Sequence, residues 1–193
     1  MKRRKFITLL GGAAAWPLAA RAQQQPAKMA RIGYLGFGTA AASAPRVEAL
    51  RVGLRELGYI EGKNIHIEFR WAERIELLHE LAGELARSSV DIIFADSSTE
   101  VEPARQATKT IPIVFATHAD PVGLGHVASL ARPGGNVTGM ATVQPDTKRL
   151  AIFKEALPHA TRFGVLWSAT APSYLSVLQQ WNLPAKSSGY SSR

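Results

Sequence analysis

None of the 193 residues is a cysteine. That excludes a disulfide framework, a cysteine nucleophile and any thiolate metal site. Most catalytic motifs are broken. His79-Glu80 opens like the zinc helix H-E-x-x-H, but Gly83 stands where the second histidine belongs, and one ligand cannot make a site. No G-x-S-x-G elbow occurs. Gly58 to Gly62-Lys63 is one residue too short for a P-loop and continues with Asn64 instead of Ser or Thr, so it reads as a turn. Gly33, Gly36 and Gly38 are ordered G-x-x-G-x-G, which misplaces the glycines that let a pyrophosphate approach the backbone. His66, His118, His126 and His159 show no ligand spacing. The residues therefore point to no metal and no cofactor.

Acidic residues are missing from the first 22 positions, which hold Lys2, Arg3, Arg4, Lys5 and Arg21. Of the formal net charge of +8, only +3 remains for the rest of the chain. A basic balance concentrated in one terminal segment does not describe a nucleic-acid surface. Met1–Lys5 is a charged n-region, Phe6–Leu18 a mild apolar stretch, and Ala20-Arg21-Ala22 a small-x-small cleavage site. These are the parts of a secretory signal. The apolar stretch falls short of the ~20 residues that span a bilayer. Arg3-Arg4-Lys5-Phe6-Ile7 resembles the twin-arginine export signal. Residues 1–22 are thus read as an export signal cleaved after Ala22, followed by a linker over 23–30.

The remainder alternates strand and helix. Apolar runs predict strands at Arg31–Gly36, Ile65–Trp71, Val90–Ala95, Ile111–Ala116, Val137–Val143 and Phe163–Trp167. Helical spacing predicts helices at Arg46–Leu57, Glu73–Arg87, Val101–Thr108, Val122–Ala131 and Asp146–Leu157, with a further one at Ser173–Trp181. Short apolar strands alternating with such helices predict an α/β fold, a parallel sheet covered on both faces. In such sheets ligands bind beyond the carboxyl ends of the strands. Two loops there carry chemistry. Asp96-Ser97-Ser98-Thr99-Glu100 opens a helix: it is either a plain N-cap or a site for an anion or carboxylate. Thr117-His118-Ala119-Asp120-Pro121 holds an aspartate that is either a turn residue or the acceptor of a ligand ammonium.

The run Asp120-Pro121-Val122-Gly123, continued by Arg132-Pro133-Gly134-Gly135-Asn136-Val137-Thr138-Gly139, resembles the substrate-binding proteins of ABC transporters, of the tryptophan/tyrosine-type or uncharacterised class. Gly53-Leu54-Arg55-Glu56-Leu57-Gly58-Tyr59, Glu61-Gly62-Lys63-Asn64, Phe69-Arg70-Trp71-Ala72-Glu73 and Ile111-Pro112-Ile113-Val114-Phe115 are similar to that family as well. The resemblance covers about residues 1–176. It implies a periplasmic-binding-protein fold of the first class, two doubly wound lobes closing on a small ligand such as an aromatic amino acid. It implies a periplasmic protein that is not an enzyme and that delivers ligand to a membrane permease. By the same resemblance, ligand contacts come from Phe37, Gly38 and Thr39, from Ser97, Ser98 and Thr99, and from Thr117, His118 and Asp120. Asp96-Ser97-Ser98-Thr99 departs from the glycine-rich hydroxyl loop of other members, and Thr117-His118-Ala119 from their commonest lead into Asp-Pro.

The implied organisation is a first lobe over 31–135, an incomplete second lobe over 136–176 and a polar tail over 177–193. That tail, ending Ala185–Arg193, has no periodicity and resembles nothing in the family, so the second lobe is expected to be truncated. The leading reading is an exported solute-binding component of an ABC importer. The alternatives are a truncated fragment without binding function and a nucleotide-dependent enzyme on a similar scaffold, against which the broken glycine motif counts.

Overall fold

The computed structural model describes residues 29–142 and 146–162. The leader, the strand expected at Phe163–Trp167, the helix expected at Ser173–Trp181 and the tail lie outside the described residues. The described elements are β1 (Ala30–Phe37), α1 (Ala40–Glu56), β2 (Ile65–Ala72), a 3-10 turn (Ile75–Leu77), α2 (Leu78–Arg87), β3 (Ile92–Ala95), α3 (Ser98–Ala107), β4 (Ile113–His118), β5 (Val137–Ala141) and α4 (Asp146–Ala156). The five strands form one sheet in the order β2-β1-β3-β4-β5. Every pairing is parallel, with Ile32 aligned to Ile67 on one side and to Ile92 on the other.

Alternation along β1 divides the core. Tyr34 turns to the face where Val47 and Ile67 are buried, with Leu50 and Leu54 of α1 and the rings of Phe69, Trp71 and Phe94 packed around them. Leu35 turns to the other face and joins Leu78, Ala82 and Leu85 of α2 and Val101 and Ala104 of α3. Right-handed crossovers from parallel strands place the helices in this way. Gly36 is opposite Trp71 in the register, and a Cβ there would be driven into the indole ring. The aromatic cluster therefore depends on the missing side chain.

Two helices start earlier than periodicity predicts, and α2, expected from Glu73, starts only at Leu78 after the 3-10 turn. Helix α1 begins at Ala40, capped by Thr39, and contains Pro45. Its first turn is exposed and alanine-rich, so no apolar rhythm marks it. Leu57, expected on the buried face, lies past the last turn and is 75% exposed. Helix α3 begins at Ser98 because Ser97 and Glu100 form a capping box. The helix expected at Val122–Ala131 is not formed. Residues 121–132 are turns and bends, closed by Gly125 N–H to Val122 O at 2.9 Å and His126 N–H to Pro121 O at 2.9 Å. Gly125 has φ 69°, a left-handed conformation that interrupts a helix. Val127 nevertheless seals the core from this loop. The strand expected to begin a second lobe after residue 135 is β5, which pairs with β4 from Ile113↔Val137 onward. The sheet thus continues past the expected lobe boundary, because the 119–136 connection returns the chain alongside β4.

Candidate functional site

The sheet order reverses direction at β1: the chain leaves β1 to reach β2 on one side and, through β3, continues on the other. A crevice opens at the carboxyl ends of strands where neighbouring connections diverge to opposite faces. The segments after β1, β3 and β4 meet at that end.

After β1, Phe37 is 37% exposed. Gly38 is left-handed (φ 100°) and donates its N–H to Ala72 O at 2.8 Å. Thr39 Oγ1 accepts from Ala42 N–H at 3.3 Å and so starts α1. After β3, Ser97 caps α3 and Glu100 reaches back. Glu100 Oε2 accepts from Ser97 N–H at 2.9 Å and from Ser97 Oγ at 2.7 Å. Its other oxygen, Oε1, accepts from Phe37 N–H at 2.8 Å. One buried carboxylate therefore joins the segments after β1 and β3. Burial pushes the Glu100 pKa up, partly opposed by the Ser97 hydrogen bonds. Ser98 Oγ accepts from Ala119 N–H at 3.3 Å, tying the β3 and β4 segments together.

Asp96, at the end of β3, is 3% exposed. Arg46 Nε lies 3.0 Å and 2.9 Å from its two oxygens, and Arg46 Nη2 also donates to Ser43 Oγ at 2.9 Å. The Tyr34 hydroxyl is buried near the Asp96 carboxylate. Burial, then the Asp96 carboxylate, raises its pKa.

After β4, Thr117 Oγ1 lies 3.1 Å from Thr142 Oγ1 in a hydrogen bond that links β4 to the end of β5. Asp120 Oδ1 accepts from Gly123 N–H at 2.8 Å, an aspartate-capped turn that begins at the Asp120-Pro121 pair. His118 is fully buried. Its Nδ1 accepts from Asp120 N–H at 3.1 Å, and its Nε2 lies 2.8 Å from His126 Nδ1. Burial, with His126 beside it, lowers the His118 pKa to about 4.

The sequence-predicted residues thus occupy three adjoining segments. Phe37 and Ser97 are joined through Glu100, Ser98 bonds Ala119 beside Asp120, and Asp120 bonds His118, while Thr39 is spent on capping α1, Thr99 N–H bonds Ser97 Oγ and the His118 ring is buried. Tyr34 and Arg46 carried no expectation as site residues, Glu100 was read only as the end of the loop that opens α3, and His126 only as a histidine without ligand spacing. Ser97-x-x-Glu100 is a readable capping-box pattern, but nothing in a sequence tells that Glu100 also reaches Phe37, 63 residues away. The Arg46–Asp96 and His118–His126 contacts have no local signal. Among the described residues no group of three or more His, Asp or Glu could hold a metal.

Comparison with known proteins adds the following. The family model described as ABC transporter substrate binding protein matches residues 40–191. A tyrosine-binding protein of Clostridioides difficile is 35% identical over 118 residues, 61% of this chain and 34% of that protein. Among solved structures, a conserved domain protein from Vibrio cholerae is similar with a TM-score of 0.72 and 28% identity, over 80% of this chain and 53% of that one. An ABC domain from Streptococcus pneumoniae in complex with L-Trp gives a TM-score of 0.70 and 25% identity, over 79% and 52%. A ligand-free, open substrate binding protein with adhesive properties from Clostridium difficile gives 0.61 and 28%, over 79% and 53%. The chain spans about a third of the length of that curated relative and about half of these solved structures.

Proposed function

Because this chain belongs to the ABC transporter substrate binding protein family, we propose that it is an exported solute-binding component of an ABC importer, acting in the periplasm by binding and not by catalysis. The ligand is an amino acid, and an aromatic one best fits the tyrosine-binding and L-Trp-bound relatives. The observation that carries this reading is the meeting of three polar segments at the carboxyl end of the sheet, joined by Glu100 and by the Ser98–Ala119 hydrogen bond.

In this reading Ser97, Ser98 and Thr99, at the start of α3, receive the ligand carboxylate through their hydroxyls, because the helix dipole favours negative charge there, while the Ser97 and Thr99 N–H groups serve the cap. Asp120 receives the ammonium with the carboxylate it already orients through Gly123. Phe37 offers its exposed ring, Gly38 and Thr39 shape the wall beside it, and Thr117 lies at the opposite edge. His118 acts from beneath, through Asp120. The described residues form one wall of the cleft, which closes on the ligand when a second lobe folds over it. The loaded protein then docks on a membrane permease. Export uses the twin-arginine leader, with cleavage after Ala22.

Calorimetry and tryptophan fluorescence on the full chain, against L-Trp, L-Tyr, other amino acids and a panel of nucleotides, test this reading. Saturable binding of an aromatic amino acid with no response to nucleotides is expected. Nucleotide binding would turn the reading to an enzyme scaffold, and no saturable binding of any amino acid would remove the solute-binding function from this chain.

A further inference from the structure

A chain of hydrogen bonds runs inward from Asp120 to the middle of α3, beyond the first turn placed against the candidate ligand. Its direction is fixed at one end by a group whose role cannot change. A backbone N–H only donates. Asp120 N–H points at His118 Nδ1 at 3.1 Å, so Nδ1 is the acceptor and the ring proton of neutral His118 sits on Nε2. His118 Nε2 lies 2.8 Å from His126 Nδ1, so it donates there, and the proton of His126 sits on its own Nε2. That nitrogen faces Glu102 Oε2 at 3.4 Å. Glu102 is held in turn by Arg105, at 2.7 Å from Nε and 2.9 Å from Nη2, and by Gln106 Nε2 at 2.8 Å. The two imidazoles meet nearly edge to face, 5.0 Å between centroids, and the Phe115 ring also packs against His118, 5.1 Å between centroids.

We propose that His126 is a positioning residue for the Asp120 turn: by accepting from His118 Nε2 it holds His118 in the one tautomer whose Nδ1 can receive the Asp120 N–H. This rests on the reading of Asp120 as a ligand contact only for its effect on binding; the tautomer itself is a property of the unliganded chain. The opposite tautomer would set His118 Nδ1–H against Asp120 N–H, two donors facing each other. Protonation of His126 has the same consequence, since the ring then has no acceptor to offer His118. The groups facing the pair are Asp120 next to His118, and Glu102 and Arg105 of α3 next to His126. Glu102 favours a charged His126, Arg105 opposes it, and burial of the ring is the largest influence and keeps it neutral.

Two variants separate positioning from packing. In His126→Asn the amide oxygen stands where Nδ1 stood and accepts from His118. In His126→Phe the ring volume is retained and the acceptor is lost. The tautomers are read by nitrogen NMR of histidine-labelled full chain near neutral pH, without ligand. The expected spectrum shows both rings neutral and protonated on Nε2, with His118 keeping that form in His126→Asn and losing it in His126→Phe, where the Asp120 amide signal also shifts. A His118 proton on Nδ1 in the unsubstituted chain overturns the proposal whether or not either variant folds. Binding of L-Trp or L-Tyr forms the second arm: His126→Phe should weaken it about tenfold, the worth of one internal hydrogen bond, and His126→Asn should restore most of it. Equal affinity of His126→Phe and the unsubstituted chain overturns the link to binding. If the unsubstituted chain binds neither amino acid, the functional reading fails while the NMR arm still decides the tautomer.

Discussion

Arg46 and Asp96, fifty residues apart, grip each other across the reversal point of the sheet: one guanidinium nitrogen contacts both carboxylate oxygens at 3.0 and 2.9 Å. The pair is unequal. The Asp96 side chain is 4% exposed and that of Arg46 is 56% exposed. The carboxylate has been taken out of water and the cation has not, so Asp96 depends on Arg46 far more than Arg46 depends on Asp96. The contact ties the first turns of α1 to the end of β3, and with them the two connections that border the crevice.

Arg46→Ala is therefore expected to destabilise the fold by about 2 kcal/mol. Removing one partner leaves a buried charge uncompensated, and the exposure of the guanidinium lets water relieve part of the penalty. Urea unfolding measures it. Double removal, Arg46→Ala with Asp96→Asn, should recover part of the loss, and an Arg46→Ala midpoint equal to that of the unsubstituted chain would show that the pair is not coupled.

Glu100→Gln probes the joint between β1 and α3. Both oxygens of Glu100 accept, one from Phe37 N–H and the other from Ser97. An amide can supply only one such oxygen, so its NH2 must face a donor. A cost of about 1–3 kcal/mol is expected, seen as a lower thermal midpoint and as faster amide exchange at Phe37 or Ser97. Unchanged exchange at both would contradict the joint.

The histidine pair sets a pH dependence. Burial keeps His118 near pKa 4 and His126 below the ordinary 6.5. The unfolded chain therefore takes up protons that the folded chain refuses as the pH falls from 6.5 towards about 4. The stability contributed by the pair is complete above this window and is lost on acidification through it. Denaturant midpoints across the range should fall more steeply for the unsubstituted chain than for His126→Phe; parallel curves would mean that the rings do not carry the effect.

Asp120→Ala should weaken amino-acid binding by about 2–4 kcal/mol if the carboxylate meets the ligand ammonium in a closed cleft. Calorimetry on the full chain is the measurement. Undiminished affinity would leave Asp120 as a turn residue serving Gly123 alone.

Export makes a separate prediction from the leader. Replacing Arg3 and Arg4 together with lysine retains the charge but removes the guanidinium pair that the twin-arginine receptor reads. Export should be lost, and in the unsubstituted protein the mature chain should begin at Gln23. Undisturbed periplasmic yield of the double-lysine protein would reassign the leader to the general secretory route.

The alternation of short apolar strands with amphipathic helices was determined by sequence alone, because buried parallel strands and a helix such as Leu78–Arg87 each impose a local rhythm. The parallel α/β fold follows from that rhythm, and the Asp-Pro and Arg-Pro-Gly-Gly-Asn signatures carried the family resemblance. Where the rhythm was interrupted, tertiary structure decided. Exposed alanines hid the start of α1 ahead of Pro45, and Gly125 turned an apparently helical stretch into a loop. The assignment of β5 to this sheet was also beyond local reading, since Val137–Ala141 has the same pattern whichever sheet it joins, and only its pairing with Ile113 and its neighbours fixes its place. The same holds for the site. The capping of α3 by Ser97 and the turn at Asp120 were legible because capping and turn chemistry is written within a few residues. Arg46, Glu100 and His126 were not, because each acts on a partner that is brought to it by the sheet: a side-chain hydrogen bond requires about 3 Å of proximity, and no local pattern encodes which distant residue the fold will deliver.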